Sequence, residues 1–128
     1  MSYHFTKTVD GTIDEVEGKV RERLASEGFS VLTYIDVQAT LKAKLGVDVS
    51  AYRILGACNP PFAYKALQAE NKIGTMLPCN VIVQQVAPGR VEVSAVDPIA
   101  SMAAVPNDML AEVAGEVSVK LKKVVEGL

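Results

Sequence analysis

The sequence contains no tryptophan, one histidine and two cysteines, and aromatic residues make up only 5% of its 128 positions. So few aromatic side chains argue against a stacking platform for nucleic-acid bases. Positive and negative charges are nearly balanced, since the chain has 13 basic and 15 acidic residues and a net charge of -2. We therefore expect neither nucleic acid nor an anionic membrane as a partner.

The chain also lacks internal repeats, blocks of like charge and Gly/Ser-rich linkers, so we predict that residues 1–128 form a single domain. With 49% hydrophobic and 22% charged residues, its composition is that of a globular protein. The N-terminal stretch has no basic leader followed by an apolar run, which predicts a cytoplasmic protein. In that compartment we expect both cysteines to be reduced.

Enzyme signatures are missing as well. The chain has no glycine-rich dinucleotide fingerprint, no phosphate-binding lysine loop, no G-x-S-x-G elbow and no H-E-x-x-H metal motif. A hydrolase of the Cys-His type would need His4 as its base, and His4 lies far from either cysteine in sequence, on a predicted strand. These observations leave open whether the protein is an enzyme, and they identify no cofactor.

Hydrophobic periodicity predicts five strands and about four helices. A capping box, Thr12 to Glu15, opens the first helix, and Asp36 and Asn59 are candidate N-caps for the next two. The last helix has an apolar stripe that we expect to be buried, made of Leu110, Val113, Val117, Leu121 and Val124, widened by Met109, Ala114 and Val125. The order of elements indicates an α+β fold of two layers, with a mixed or antiparallel five-stranded sheet and helices largely on one face.

A hairpin is predicted for residues 80–96, because Pro88-Gly89 is typical of a type II turn. If Ala87 and Arg90 flank a two-residue loop, Asn80 lies opposite Asp97. That register would bring the Asp97 carboxylate to Cys79-Asn80.

Two Cys-Asn pairs stand out. Cys58-Asn59 precedes Pro60-Pro61 at a predicted helix start, where the helix dipole favours a thiolate, although neither proline has an N–H to offer an anion. Cys79-Asn80 follows Pro78 at the start of a predicted strand. We predict that the two cysteines converge, and the alternative is that Cys58 is a small buried hydrophobic residue.

The chain contains four motifs in a fixed order: YRILGACNP at residues 52–60, AYKAL at 63–67, GTMLPCNV at 74–81 and VDP at 96–98. In this order and spacing they resemble the bacterial and archaeal domain-of-unknown-function 302 family. The resemblance covers nearly the whole chain. It implies a compact two-layer α/β domain that commonly dimerises, no established activity, and one structural feature that unites Cys58, Asn59, Pro60, Leu77, Pro78 and Cys79.

We predict that the protein is a binding module for a small ligand or a soft metal, with a cysteine-containing pocket. Tyr52 and Phe62 are further candidate walls. Met76 or Met102 would join the two thiolates in a Cu(I) site, whereas a closed zinc site would need His4. The candidate binding residues are Cys58, Asn59, Pro60, Tyr64, Pro78, Cys79, Asn80 and Asp97.

Two other functions remain open. One is a thiol-dependent enzyme or sulfur carrier that uses Cys58, and the other is a purely structural homodimer. A homodimer is expected in any case, because five strands leave two sheet edges to cover in an apolar chain.

Overall fold

The computed structural model describes residues 2–128, in which strands and helices alternate along most of the chain. The strands are β1 (His4–Asp10), β2 (Ser30–Asp36), β3 (Tyr52–Cys58), β4 (Cys79–Ala87) and β5 (Arg90–Val96). The helices are α1 (Ile13–Ser26), α2 (Val37–Leu45), α3 (Pro60–Ala69), α4 (Pro98–Ser101) and α5 (Asp108–Glu126), with a 3₁₀ turn at Ile73–Met76. Within this part of the chain, no helix has the length and apolar character needed to cross a bilayer.

All five strands form one antiparallel sheet in the order β1-β5-β4-β3-β2. Alternate side chains of the inner strands, such as Leu55, Val83 and Val93, are fully buried beneath α1, α3 and α5. The other face of the sheet carries more polar residues, including Asn80 and Gln84. The α+β prediction is confirmed.

Local signals set most of the helix ends. The Thr12 side chain accepts from the Glu15 N–H, and the Asp36 side chain accepts from the Ala39 N–H. Gly46 ends α2 in the left-handed conformation with φ 68°. The predicted stripe of α5 is buried along its full length, whereas Met109 is exposed because it lies on the solvent side of that helix.

One predicted strand pairing fails, because a bulge interrupts the hairpin of β4 and β5. Ala87 does pair with Arg90, but a bulge between Gln85 and Ala87 shifts the ladder so that Val81 lies opposite Ala95. The predicted pairing of Asn80 with Asp97 is therefore wrong by one residue. None of the residues of α2 is buried.

Candidate functional site

Cys58 and Cys79 lie at the same end of the sheet, as predicted. Cys58 is the last residue of β3, Cys79 is the first of β4, and Ala57 lies directly opposite Cys79 in the antiparallel ladder. Cys79 is buried, with 8% of its surface exposed, and Cys58 is half-buried. Both thiols are free.

A cleft of about 310 Å³ opens beside the two cysteines, between α3, the end of the sheet and α5. Its walls are almost entirely apolar, and among the described residues no charged side chain lines it. The lining residues are Phe29, Leu32, Thr33, Ala57, Cys58, Asn59, Phe62, Ala63, Ala66, Leu67, Leu77, Pro78, Cys79, Pro98, Met102, Val113, Ala114 and Val117.

Small side chains help to keep this space open. Ala63 and Ala66 of α3 face the cleft from one side, and Ala57 of β3 and Ala114 of α5 also line it. Protein interiors are normally packed to the density of an organic crystal. An unfilled apolar space of this size next to a well-packed core is therefore unusual. Larger aliphatic residues at these positions would fill it.

The Cys79 thiol faces low-dielectric surroundings. Burial raises the pKa of Cys79 to about 11, and the neighbouring Cys58 adds a smaller contribution in the same direction. Cys79 is therefore protonated at neutral pH. A thiol is a weak hydrogen-bond donor and a poor nucleophile, so Cys79 suits an apolar ligand better than it suits thiolate chemistry.

The structure brings together only part of the predicted metal site. Met102 lines the cleft with the two cysteines, but Met76 lies in a separate hollow beside the 3₁₀ turn. Across residues 2–128, no group of three histidine, cysteine, aspartate or glutamate side chains is placed to hold a metal ion. Of the proposed soft donors, only the sulfur atoms of Cys58, Cys79 and Met102 share one cavity.

Asn59 occupies the N-cap position of α3 without capping it. No side-chain hydrogen bond reaches the first turn of the helix. Instead, the Asn59 Nδ2 donates to the Glu27 carbonyl oxygen at 3.1 Å. The amide also packs against Gly28, where a Cβ atom would lie 3.2 Å from Nδ2. Asn59 thus ties the start of α3 to the end of α1, which holds one wall of the cleft in place.

Because of this role, we expect Asn59→Asp to destabilise the protein more than Asn59→Ala does. Alanine leaves the partly buried Glu27 carbonyl without its donor, at a cost of about 1 to 2 kcal/mol of unfolding free energy. Aspartate places a carboxylate against that carbonyl, and we expect a loss of about 3 kcal/mol. Urea denaturation at pH 7 measures both values.

Thr12→Asp is the control, because Thr12 is a true N-cap and aspartate caps equally well; its effect should stay within about 0.5 kcal/mol. Equal stability of Asn59→Asp and the wild type would show that the Asn59 side chain acts as an ordinary cap.

Four predicted site residues lie outside the cleft. Tyr64 is 65% exposed on the outer side of α3, and Pro60 is exposed at its start. Asn80 points to the opposite face of the sheet from Cys79. The Asp97 carboxylate is engaged elsewhere, since its Oδ1 accepts from the Ile99 N–H at 3.0 Å and from the Ser118 hydroxyl at 2.9 Å.

The only histidine of the chain is also remote from the cysteines. His4 lies with Tyr52 and Asn80 in a shallow depression on the more polar face of the sheet, and its Nδ1 is hydrogen-bonded to the Thr6 hydroxyl. The Thr6 hydroxyl is in turn hydrogen-bonded to the Ser94 hydroxyl at 2.8 Å. His4 therefore lines no part of the cleft that holds Cys58.

Several residues of the cleft were not predicted from the sequence. Leu32 and Thr33 come from the edge strand, beside a register shift between Val31 and Thr33. The contributions of α5 belong to a stripe that we interpreted as core only. Paired alanines at positions 63 and 66, inside an otherwise apolar helix face, were the available signal for a space beneath α3.

Comparison with known proteins is consistent with this fold. A family model described as domain of unknown function DUF302 matches residues 5–128. A crystal structure of an uncharacterized conserved DUF302 protein from Bacillus stearothermophilus superposes with a TM-score of 0.90, at 28% identity over 98% of each chain. No curated protein matches the sequence.

Proposed function

The chain belongs to the DUF302 family, and we propose that this member is a binding module for a small, predominantly apolar molecule. One observation carries the proposal: a solvent-connected cleft of about 310 Å³ with almost wholly apolar walls. Ligand sites in proteins are usually clefts of about 300 Å³ or more, lined by apolar side chains and a few polar groups. Water in such a space has few hydrogen-bond partners, so a ligand displaces it favourably.

The size of the cleft limits the ligand. It has room for about ten water molecules at roughly 30 Å³ each, which corresponds to a ligand on the order of ten non-hydrogen atoms. The polar residues of the lining that would orient it are Thr33, Cys58, Asn59 and Cys79. Because the lining carries no charge, a neutral molecule fits better than an ion.

The soft-metal alternative is the weaker proposal. Binding through Cys79 requires deprotonation of a thiol whose pKa is raised to about 11 by burial. Thiol chemistry at Cys58 is weaker still, since the lining offers no histidine, carboxylate or lysine as a base. Met102 beside the two cysteines is the observation that keeps Cu(I) as a second candidate.

A neutral dye tests the ligand proposal. We expect 1-naphthol, an uncharged fluorophore of the size that the cleft admits, to bind the wild type saturably at one site, with a Kd in the micromolar range. Ala63→Phe should fill the cleft and raise the dissociation constant of the dye by about tenfold or more, because the phenyl ring then occupies the space of the ligand. Fluorescence titration measures both affinities.

Ala111→Phe is the matched control, since Ala111 is exposed on α5, and it should bind the dye like the wild type. Circular dichroism confirms that each variant is folded. Unaltered dye binding in Ala63→Phe, or no saturable binding in the wild type, would contradict the proposal. Native mass spectrometry of the purified protein, compared with Cys58→Ala, then asks whether a bound molecule depends on the thiol.

Three further proposals complete the description. We assign residues 1–128 to a single domain, because one hydrophobic cluster includes buried residues from Val16 to Val125. We assign the protein to the cytoplasm, a compartment in which free Cys58 and Cys79 are expected. We also propose that it forms a homodimer, which would cover the two edge strands of the sheet.

A further inference from the structure

We propose that the more polar face of the sheet carries a second binding site, which takes a small organic cation with an ammonium group. The site is a depression of about 410 Å³ in this face. The polar residues that line this polar depression are His4, Tyr52, Asn80, Gln84, Glu92 and Ser94. The polar depression shares no lining residue with the apolar cleft, so it is separate from the ligand site proposed above.

The antiparallel register places three of these side chains in one row across the sheet. Glu92 of β5 lies opposite Gln84 of β4, and Gln84 lies opposite Tyr52 of β3. Adjacent strands lie about 4.8 Å apart, so the backbones that carry Glu92 and Tyr52 are about 10 Å apart. A carboxylate and an aromatic ring on one row are the two kinds of group that attract an organic ammonium ion.

The floor and the far end of the polar depression come from the same register. Ser94 follows Glu92 by two residues, so it lies on the same face of β5, and it is only 8% exposed. It therefore forms the floor. His4 lies opposite Val96, four residues beyond Glu92, which gives the polar depression a length of about 13 Å.

The charges of the polar depression favour a cation. Glu92 is half-buried and is the only charged side chain in the lining. Within residues 2–128, no basic side chain forms an ion pair with it. Arg90, two residues away on the same face of β5, is paired with Asp10 at 2.7 Å. A half-buried carboxylate without a counter-ion attracts a cation, and a lining without lysine or arginine offers nothing to an anion.

The row also holds hydrogen-bond acceptors for an ammonium group. The Gln84 Nε2 donates to the Glu92 Oε1 at 3.4 Å. In the part of the chain that the structure describes, no other side-chain or backbone donor bonds to Glu92, and none bonds to the Gln84 amide oxygen. These oxygens are free to accept from the N–H groups of a primary ammonium ion. With about 30 Å³ for each water molecule, the polar depression admits a ligand on the order of ten non-hydrogen atoms.

The test compares phenethylamine with phenethyl alcohol, an uncharged molecule of nearly the same shape. We expect phenethylamine at pH 7 to shift the side-chain amide signals of Asn80 and Gln84 saturably in proton–nitrogen NMR spectra, with a Kd of about 1 mM or lower. Phenethyl alcohol should shift these signals with a Kd at least about tenfold higher, because it cannot form a charge-assisted hydrogen bond with Glu92.

Variants of the chain identify the groups that bind the cation. Glu92→Gln keeps the shape of the side chain and removes its charge, so the Kd of phenethylamine should rise about tenfold. Tyr52→Leu removes the ring and should raise it about threefold. Glu112→Gln is the matched control, since Glu112 is exposed on α5, and it should bind phenethylamine like the wild type. Ala63→Phe, which fills the apolar cleft, should also leave this Kd unchanged.

Four results would overturn the second site. They are shifts that do not saturate in the wild type, an unchanged Kd in Glu92→Gln, equal affinities for phenethylamine and phenethyl alcohol, and a loss of phenethylamine binding in Ala63→Phe. The same shifts with magnesium chloride in place of the amine would overturn the assignment to an organic cation. The spectra also show whether each variant is folded. Absence of dye binding with phenethylamine binding intact would contradict the proposed function alone and leave the second site supported.

Discussion

Replacing Gly56 by alanine should destabilise the protein by about 3 kcal/mol or more, the upper end of the cost of overpacking. Gly56 lies in β3 between two neighbouring strands, and its φ is not positive, so alanine is allowed by the backbone. The obstacle is space. A Cβ atom at this position would lie 1.9 Å from the Thr33 Oγ1 and 2.6 Å from the Pro78 Cγ. Urea denaturation measures the loss.

Two variants separate this contact from a general effect of glycine. Gly18→Ala meets no atom within 4 Å in the exposed interior of α1, and it should stabilise the protein by about 0.5 to 1 kcal/mol. Thr33→Ala removes the nearer of the two obstacles and should recover at least about 1 kcal/mol in the Gly56→Ala background. If Gly56→Ala were as stable as the wild type, the close approach of β2 and Pro78 to β3 would be wrong.

Cys79 should react with a thiol-alkylating reagent about 100-fold more slowly at pH 8 than an unperturbed cysteine. Burial raises the pKa of Cys79 from 9.0 to about 11, so the thiolate fraction at this pH falls by about two orders of magnitude. Its rate should rise about tenfold per pH unit up to pH 10. Mass spectrometry of peptides after timed alkylation separates Cys79 from Cys58.

The same shift makes stability depend on pH. Below pH 9 both the folded and the unfolded chain keep the Cys79 proton, so the contribution of this thiol is constant. Between pH 9 and about 11 the unfolded chain loses the proton while the folded chain retains it, and stability falls by up to about 3 kcal/mol. Other groups titrate in this range, so the measured quantity is the difference in slope between the wild type and Cys79→Ala. Identical slopes would mean that Cys79 is not held in a low-dielectric environment.

Local sequence patterns predicted most of the elements. The Thr12 capping box, the Asp36 cap with Gly46 and the five-residue stripe of α5 all depend on contacts within a few residues. The position of the Pro88-Gly89 hairpin followed in the same way, because turn chemistry is also local. Its register did not follow, since nothing in the local sequence identifies the bulge between Gln85 and Ala87.

The cleft was predictable only in part, because its walls come from distant segments. Cys58, Asn59, Pro78 and Cys79 were found through motifs at the ends of β3 and β4. Met102, Val113 and the edge-strand residues reach the same space only after α5 and β2 are in place. Asn59 illustrates the limit, since its hydrogen bond to Glu27 spans 32 positions and replaces the local cap that its sequence context indicates.

The pairing of β1 with β5 has a consequence for biosynthesis. His4 meets Val96, and Asp10 meets Arg90, so β1 finds its partner only after β2, β3, β4 and β5 have been synthesised. α5, which buries eight residues over the sheet, follows later still. Because contacts between distant segments form slowly, β1 and the helix-covered face of the sheet stay exposed on the nascent chain at least until β5 and α5 have been synthesised.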